Sequence, residues 1–284
     1  MRVDAHHHLW DLSVRDQDWI DPVSMSVIRR NFDVANLGAA TIGFDRTVLV
    51  QTITVAEETP EFLAVADATE LIGAVTGWVD LTQPSVAEDL AKLKAGPGGE
   101  WLRGIRHQVQ GEPDPRWLCR DDVQRGLAAV FEAGLLYELL ILPQQIPAAV
   151  ETVAAFPDAP FVLDHCAKPP IASGSLEPWA TAIRELAGFE NVVCKLSGLV
   201  TEADWTQWTV DGLKPYADVV LDAFGPSRLM FGSDWPVCLL AGSYADVVGA
   251  AEELTSGLTL VEQAEVFGGT ASRVYQLGAP VQGA

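Results

Sequence analysis

Positive charge is what this sequence has least of. Eighteen lysines and arginines stand against 39 aspartates and glutamates in 284 residues, a formal charge of −21. Only Lys92, Lys94, Lys168, Lys195 and Lys214 are lysines. Nucleic acids and anionic membranes are bound through a basic footprint, so the composition argues against both as partners. An anionic substrate would need cations gathered locally. The four cysteines (Cys119, Cys166, Cys194, Cys238) show no C-x-x-C spacing and no disulfide framework. No uncharged apolar run approaches the ~18 residues of a membrane span; the longest, near residues 127–142, contains Glu132 and Glu138. No apolar leader segment follows Met1, so a reduced, cytoplasmic protein is expected. No glycine fingerprint follows the first expected strand, which argues against a dinucleotide fold.

What is present is apolar and rhythmic. Forty-nine per cent of the residues are hydrophobic and 20% charged, a balance typical of a well-buried globular chain. Short apolar runs occur at Arg2–His7, Thr47–Thr52, Gly73–Val79, Leu102–Gln108, Leu135–Ile141, Phe161–Cys166, Val192–Ser197 and Leu229–Ser233. Near-continuous apolar character suits parallel strands covered on both faces. Helical patterns fill the gaps at Glu57–Glu70, Ser85–Lys94, Asp121–Glu132, Gln144–Phe156, Pro178–Leu186, Asp211–Phe224 and Tyr244–Leu254, with a capping box expected at Ser85 and Glu88. Eight such units predict an α/β fold, a (β/α)8 TIM barrel forming one domain over residues 1–284, with its chemistry at the C-terminal ends of the strands. Helix exteriors of such barrels pack in many ways, so a homo-oligomer stays open.

Histidine is also scarce, and all five (His6, His7, His8, His107, His165) fall in or beside expected strand ends. Consecutive histidines occur in purification tags. Here Val3-Asp4 before them and Leu9-Trp10 after them read as a buried strand entering a loop. Alternation along a strand puts His6 and His8 on one face and turns His7 away. The expected strand ends together carry His6, His8, Gln51, Asp80, Arg106, His107, Glu138, Asp164, His165, Lys168, Lys195 and Asp234. Ionisable groups concentrated at one rim are the signature of a catalytic centre rather than of turn chemistry.

The segments Asp4–Trp10, Arg103–His107, Leu163–Pro169, Cys194–Gly198 and Phe231–Pro236, closed by Gly269-Thr270-Ala271 with Arg273 and Tyr275, resemble the amidohydrolase superfamily. The likeness is to its lactonase group, which includes L-fuconolactonase-like, L-rhamnonolactonase-like and 2-pyrone-4,6-dicarboxylate lactonase enzymes, and it covers essentially the whole chain. It implies a hydrolase that opens a small lactone, most simply the lactone of an aldonic acid in sugar catabolism. Binuclear amidohydrolases carry a bridging lysine on strand four and histidines on strands five and six. Here strand four ends in Arg106-His107, strand five carries Glu138 and strand six His165, which speaks against two metals. The resemblance leaves open one divalent metal, zinc or manganese, and metal-independent catalysis. For one metal, His6, His8 and His165 with Glu138 or Asp234 make a nitrogen–oxygen shell.

In that reading Asp234 is the general base for the attacking water. His6, His8 and His165 activate the carbonyl, directly or through the metal. Arg106 is the preferred substrate-binding residue, with His107 close behind. Lys195 either orients substrate hydroxyls or pairs structurally with Glu138, and Trp235 stacks on the sugar ring or packs in the core. Lys168 is expected to make a loop contact. Two other readings are a decarboxylase of an aromatic or muconate-type acid and a non-catalytic sugar- or metal-binding barrel.

Overall fold

The computed structural model describes residues 1–278. Eight parallel strands, β1 (Val3–His7), β2 (Arg46–Val50), β3 (Ile72–Gly77), β4 (Leu102–His107), β5 (Leu136–Leu139), β6 (Phe161–Leu163), β7 (Val192–Leu196) and β8 (Leu229–Phe231), pair in sequence order. The ring closes where the segment after β8 meets β1: Asp234 N–H donates to His6 O at 2.9 Å and His8 N–H to Trp235 O at 2.7 Å. This is a (β/α)8 barrel. The helices are α1 (Val34–Ala40), α2 (Glu58–Asp67), α3 (Val86–Ala95), α4 (Asp121–Glu132), α5 (Ile146–Ala155), α6 (Trp179–Ala187), α7 (Val210–Phe224), α8 (Tyr244–Leu254), α9 (Leu260–Ala264) and α10 (Thr270–Val274). Helices α1, α9 and α10 are not among the helical patterns expected from the sequence. All three are at most seven residues long, too short for a helical period to stand out. Ser85 does not form the expected box; its hydroxyl donates to Asp89 at 2.8 Å. Boxes occur instead at Asp33/Asn36, Ser243/Asp246 and Thr259/Glu262.

Strand alternation sorts the side chains into two cores. Outward residues such as Leu49, Val75, Ile105, Tyr137, Leu139, Cys194 and Phe231 pack beneath the helices. Inside the barrel, Val3, Ala5, Val48, Ala74, Leu136, Val162 and Met230 form an apolar plug, together with Ala271 and Tyr275 from α10 and its end. Two residues further along the strands, Ala74 gives way to Thr76, Leu136 to Glu138, Val162 to Asp164 and Val193 to Lys195, while Arg106 sits opposite Glu138 in register. A charged layer thus lies directly on the apolar one, at the C-terminal ends of the strands.

β1 carries an irregularity in its pairing with β2 between Asp4 and His7. The bulge re-aims the side chains that follow: His6 and His8 meet at the mouth of the barrel, while His7 pairs beside outward-facing Leu49. Gly232 leaves room for this arrangement, since a Cβ there would come within 2.8 Å of His6 Cβ.

His7 is fully buried with neither ring nitrogen hydrogen-bonded, and burial lowers its pKa to about 3. Between pH 6.5 and 3 the unfolded chain therefore takes up a proton that the fold refuses, and stability falls as the pH drops. The slope is about 1.4 kcal/mol per pH unit for one such group. His7→Leu is expected to reduce the stability lost between pH 7 and pH 5 by about 2 kcal/mol, read by urea unfolding at both pH values. An unchanged pH slope would show that His7 titrates normally.

Candidate active site

The closing seam of the barrel builds the site. Asp4, fully buried on β1, accepts from Ser233 N at 2.8 Å, Ser233 Oγ at 2.6 Å and Tyr244 OH at 3.2 Å. Ser233 in turn fixes the next residue, Asp234, whose φ of 56° is left-handed. A carboxylate held in that sparsely populated region is costly unless its surroundings impose it. The result is that Asp234 Oδ1 lies 3.4 Å from His8 Nε2, 3.8 Å from His6 Nε2 and 3.9 Å from His165 Nε2.

His165 arrives by an unusual route. β6 stops at Leu163, and His165, Cys166, Ala167 and Lys168 all take left-handed φ values between 49° and 53°. Alternation no longer applies there, so Asp164 and His165 both reach the site. His165 Nδ1 lies 2.9 Å from Ser197 Oγ. Gly198, at φ 68°, is packed so close that a Cβ would stand 2.8 Å from His165 Nδ1.

Beneath these groups lies a buried ionic layer. Arg106 donates from Nη1 to Asp164 Oδ2 at 2.9 Å, from Nε to Gln51 Oε1 at 2.9 Å, and from Nη2 to Gln51 O. Lys195 Nζ donates to Glu138 Oε2 at 2.7 Å and lies 3.0 Å from Asp164 Oδ1. The other oxygen of Glu138 accepts from Thr76 and Tyr275 hydroxyls, each at 2.6 Å. Burial pushes Glu138 upward against the pull of Lys195. For Asp164 burial also pushes upward, but Lys195, His6 and Arg106 together outweigh it and hold the carboxyl well below its ordinary range. Asp234 behaves likewise, with His165 and His8 overcoming burial. His165 is lowered by burial to about 4, and His6 falls well below 6.5 through burial and the neighbouring Lys195. Near neutral pH the site therefore holds ionised Asp234 facing uncharged His6 and His165.

The donor set fits one divalent cation. His8 Nδ1–H donates to Val50 O at 2.8 Å, which leaves the Nε2 lone pair of a neutral ring facing inward. Nitrogens of His6 and His165 and an oxygen of Asp234 all lie within 4.8 Å of one another, and His8 Nε2 stands 3.1 Å from His6 Nε2. Arg106 and Lys195 against Glu138, Asp164 and Asp234 leave the cluster one negative charge in excess with neutral histidines. Converging lone pairs and a negative balance are what a bound cation relieves. Glu138 belongs to a second such group with His6 and Asp164, but Lys195, Thr76 and Tyr275 already occupy its oxygens.

Above the site opens a cleft of about 310 Å³ lined by His8, Arg106, His165, Asp234, Gln108, Gln110, Thr52, the Lys168–Glu202 ion pair (2.9 Å) and an apolar flank including Trp19, Met25, Trp205 and Leu240. Three residues expected at the substrate lie elsewhere. His107 turns outward, hydrogen-bonded to Trp78 at 3.0 Å and Glu112 at 2.7 Å and stacked on Trp117, because the residue after an inward Arg106 must face the helices. Trp235 is buried edge-on against Phe32, with ring centroids 5.2 Å apart, on the outer side of the seam. Lys195 is fully buried below His6 and makes the pair with Glu138 rather than reaching the cleft. Asp4, Gln51, Ser197 and Tyr275 support the site and were not chosen as site residues from sequence. Gln51 stands out in the sequence as a polar residue at a strand end; Asp4, Ser197 and Tyr275 do so only as members of the segments that carry the family likeness.

A parallel barrel whose strand ends converge on an ionised carboxylate and three imidazoles defines a hydrolytic type of enzyme site. The chain belongs to the amidohydrolase family, whose model matches residues 3–277. It is 40% identical over 294 aligned positions to an L-fucono-1,5-lactonase of Burkholderia multivorans, covering 99% of this chain and 97% of that one. It is 38% identical to an L-fucono-1,5-lactonase of Burkholderia ambifaria, covering 98% and 97%. A crystal structure of an amidohydrolase from Burkholderia multivorans with bound zinc superposes with a TM-score of 0.92 at 38% identity, over 98% of this chain and all of that one. Among the described residues no helix is long and apolar enough to cross a membrane.

Proposed function

We propose that this protein, acting as one barrel domain, hydrolyses the ring ester of a small sugar-acid lactone in carbohydrate catabolism. The observation that carries the reading is ionised Asp234 at the floor of an open cleft, ringed by the Nε2 atoms of His6, His8 and His165. The full-length likeness to lactonases supports it. A single divalent metal, zinc as in the related structure or manganese, would be held by His6, His8, His165 and Asp234 and would supply Lewis-acid polarisation of the carbonyl.

Asp234 accepts the proton of the water that adds to the carbonyl carbon, and returns it to the ring oxygen as the tetrahedral intermediate collapses. Arg106, clamped by Asp164 and Gln51, holds a fixed donor beside His6 where negative charge develops on the carbonyl oxygen. Gln110, whose buried Oε1 has no partner, and Gln108 and Thr52 supply hydrogen-bonding groups for the hydroxyls of a polyol. Trp19 and Trp205 border the same cleft and receive the apolar face of the ring.

Both cations that line the cleft are already paired, Arg106 with Asp164 and Lys168 with Glu202. A free carboxylate on the substrate therefore finds no spare cation. The test is indicator-monitored acid release by chelator-treated protein, with and without added zinc or manganese, on aldono-1,5- and 1,4-lactones and a pyrone dicarboxylate. Release from sugar lactones and not from the dicarboxylate is expected. Silence on every aldonolactone by folded, metal-supplied protein rejects the reading.

A further inference from the structure

The segment that joins β1 to α1 borders the barrel mouth and brings Trp19 and Met25 to the flank of the cleft. It is tied down along its length. Trp10 and Phe32 exchange backbone hydrogen bonds at 3.2 and 2.9 Å, Trp10 Nε1 donates to Arg30 O at 2.7 Å, and Arg29 reaches back to Asp16 at 3.0 Å and to Ile20 O at 3.1 Å. The short helical turn Ser26–Ile28 packs against Val237–Leu240, just beyond Asp234. The segment is therefore a fixed wall of the cleft.

Gln17, in the middle of this wall, is 2% exposed, although glutamine is ordinarily a surface residue. A buried amide is costly unless its polar atoms are hydrogen-bonded. Among the described residues Trp19 is the one donor to Gln17 Oε1, through its indole Nε1–H at 2.9 Å. The same indole meets Trp10 edge to face, with ring centroids 5.7 Å apart and planes at 88°. Trp19 is thus fixed at its nitrogen by Gln17 and along its ring by Trp10. An indole N–H is a donor with no capacity to accept, so its bond to Gln17 withholds it from substrate hydroxyls and leaves the π surface as what Trp19 offers the cleft. Gln17 itself does not line the cleft. It borders a separate cavity of about 460 Å³ with Asp11, Arg15, Glu58 and Glu61.

We propose that Gln17 is a positioning residue for the substrate: by accepting the indole N–H it holds Trp19 as an apolar platform on which the C–H face of the lactone ring packs. This rests on the sugar-lactone reading given above. Without the Gln17 oxygen the indole N–H has to find another acceptor. The cleft offers water and substrate hydroxyls, so the ring leaves the orientation that stacking needs. Stacking is made alike before and during attack on the carbonyl, so its loss falls on KM and not on kcat. An aromatic contact of this kind corresponds to a KM rise of about 3- to 10-fold.

The experiment is a cycle of Gln17→Leu, Trp19→Phe and the double variant, with KM and kcat measured on an aldono-1,5-lactone and folding checked by thermal melting. Gln17→Leu is expected to raise KM about 3- to 10-fold with kcat within about two-fold of wild type. In the Trp19→Phe background, where no N–H remains for Gln17 to hold, Gln17→Leu is expected to leave KM unchanged. Equal KM increases in the two backgrounds, no increase in either, or an effect confined to kcat overturns the role of Gln17 while leaving the lactonase reading intact. No hydrolysis of any aldonolactone by the wild type overturns both. Where Gln17→Leu does not fold, hydrogen exchange of the Trp19 indole N–H in the wild type decides, assigned in a ¹⁵N-tryptophan spectrum by its loss in Trp19→Phe. Slowed exchange is expected; exchange at the rate of free indole overturns the bond to Gln17 and the proposal with it.

Discussion

Asp234→Asn is expected to lower kcat for lactone hydrolysis by about 10²- to 10⁴-fold, the range over which a positioned general base acts, with KM little changed. The amide keeps the shape of the side chain and the backbone bond from Asp234 N to His6 O that closes the barrel. It removes the proton acceptor and the one anion that all three imidazoles share. His8 and His165 hold the Asp234 carboxyl below its usual range against burial, so the wild-type residue is available as a base throughout the neutral range. The comparison is made by acid-release kinetics at saturating lactone, with thermal melting to establish that the variant is folded. Retention of activity within a few-fold of wild type would remove Asp234 from the reaction.

The second large effect is on stability. Lys195→Met is expected to cost about 3–5 kcal/mol, as when one partner of a buried ion pair is removed. Lys195 lies at the centre of the barrel, with Glu138 at 2.7 Å and Asp164 at 3.0 Å. Methionine reproduces all but the terminal ammonium of the side chain, so the loss measures charge rather than volume. It leaves two buried carboxylates near one another with Arg106 as the only remaining cation among them. Adding Glu138→Gln to Lys195→Met is expected to recover part of the loss, since it removes one stranded charge while keeping acceptors for Tyr275 and Thr76. Urea unfolding of the two variants tests this. A cost below about 1 kcal/mol for Lys195→Met would mean that the pair contributes no more than an exposed one.

The barrel was legible because its signal is repetitive: each of the eight apolar runs became a strand, with ends displaced by up to three residues. The parity of His6, His7 and His8 was also legible, though the bulge that produces it was not, since a bulge leaves no mark in a run of buried residues. Alternation failed at β6. It would place Asp164 and His165 on opposite faces, yet the left-handed turn after Leu163 delivers both to the site. Nothing in Asp-His-Cys-Ala-Lys announces four consecutive residues at positive φ, a turn held from elsewhere in the chain by Gly198 and Ser197 against His165 and by Trp179 Nε1 donating to Cys166 O. Trp235 and His107 are expected at the substrate as residues of strand ends, and each directly follows a residue that does face the site, Asp234 or Arg106. In a strand end that adjacency places them on the opposite side. Lys195 and Glu138 illustrate a different limit, since their pairing across the barrel is a matter of register. The long-range clamp of Asp4 on Ser233, 229 positions away along the chain, is of the same kind.

The most direct test of the account is a single turnover of a sugar lactone in H₂¹⁸O, with enzyme in excess and the product analysed by mass spectrometry. Asp234 acting as a base on water predicts one ¹⁸O in the carboxylate of the aldonic acid from the first turnover. A first-turnover product carrying only ¹⁶O, with the label appearing in the Asp234 side chain, would contradict it and make that carboxylate a nucleophile.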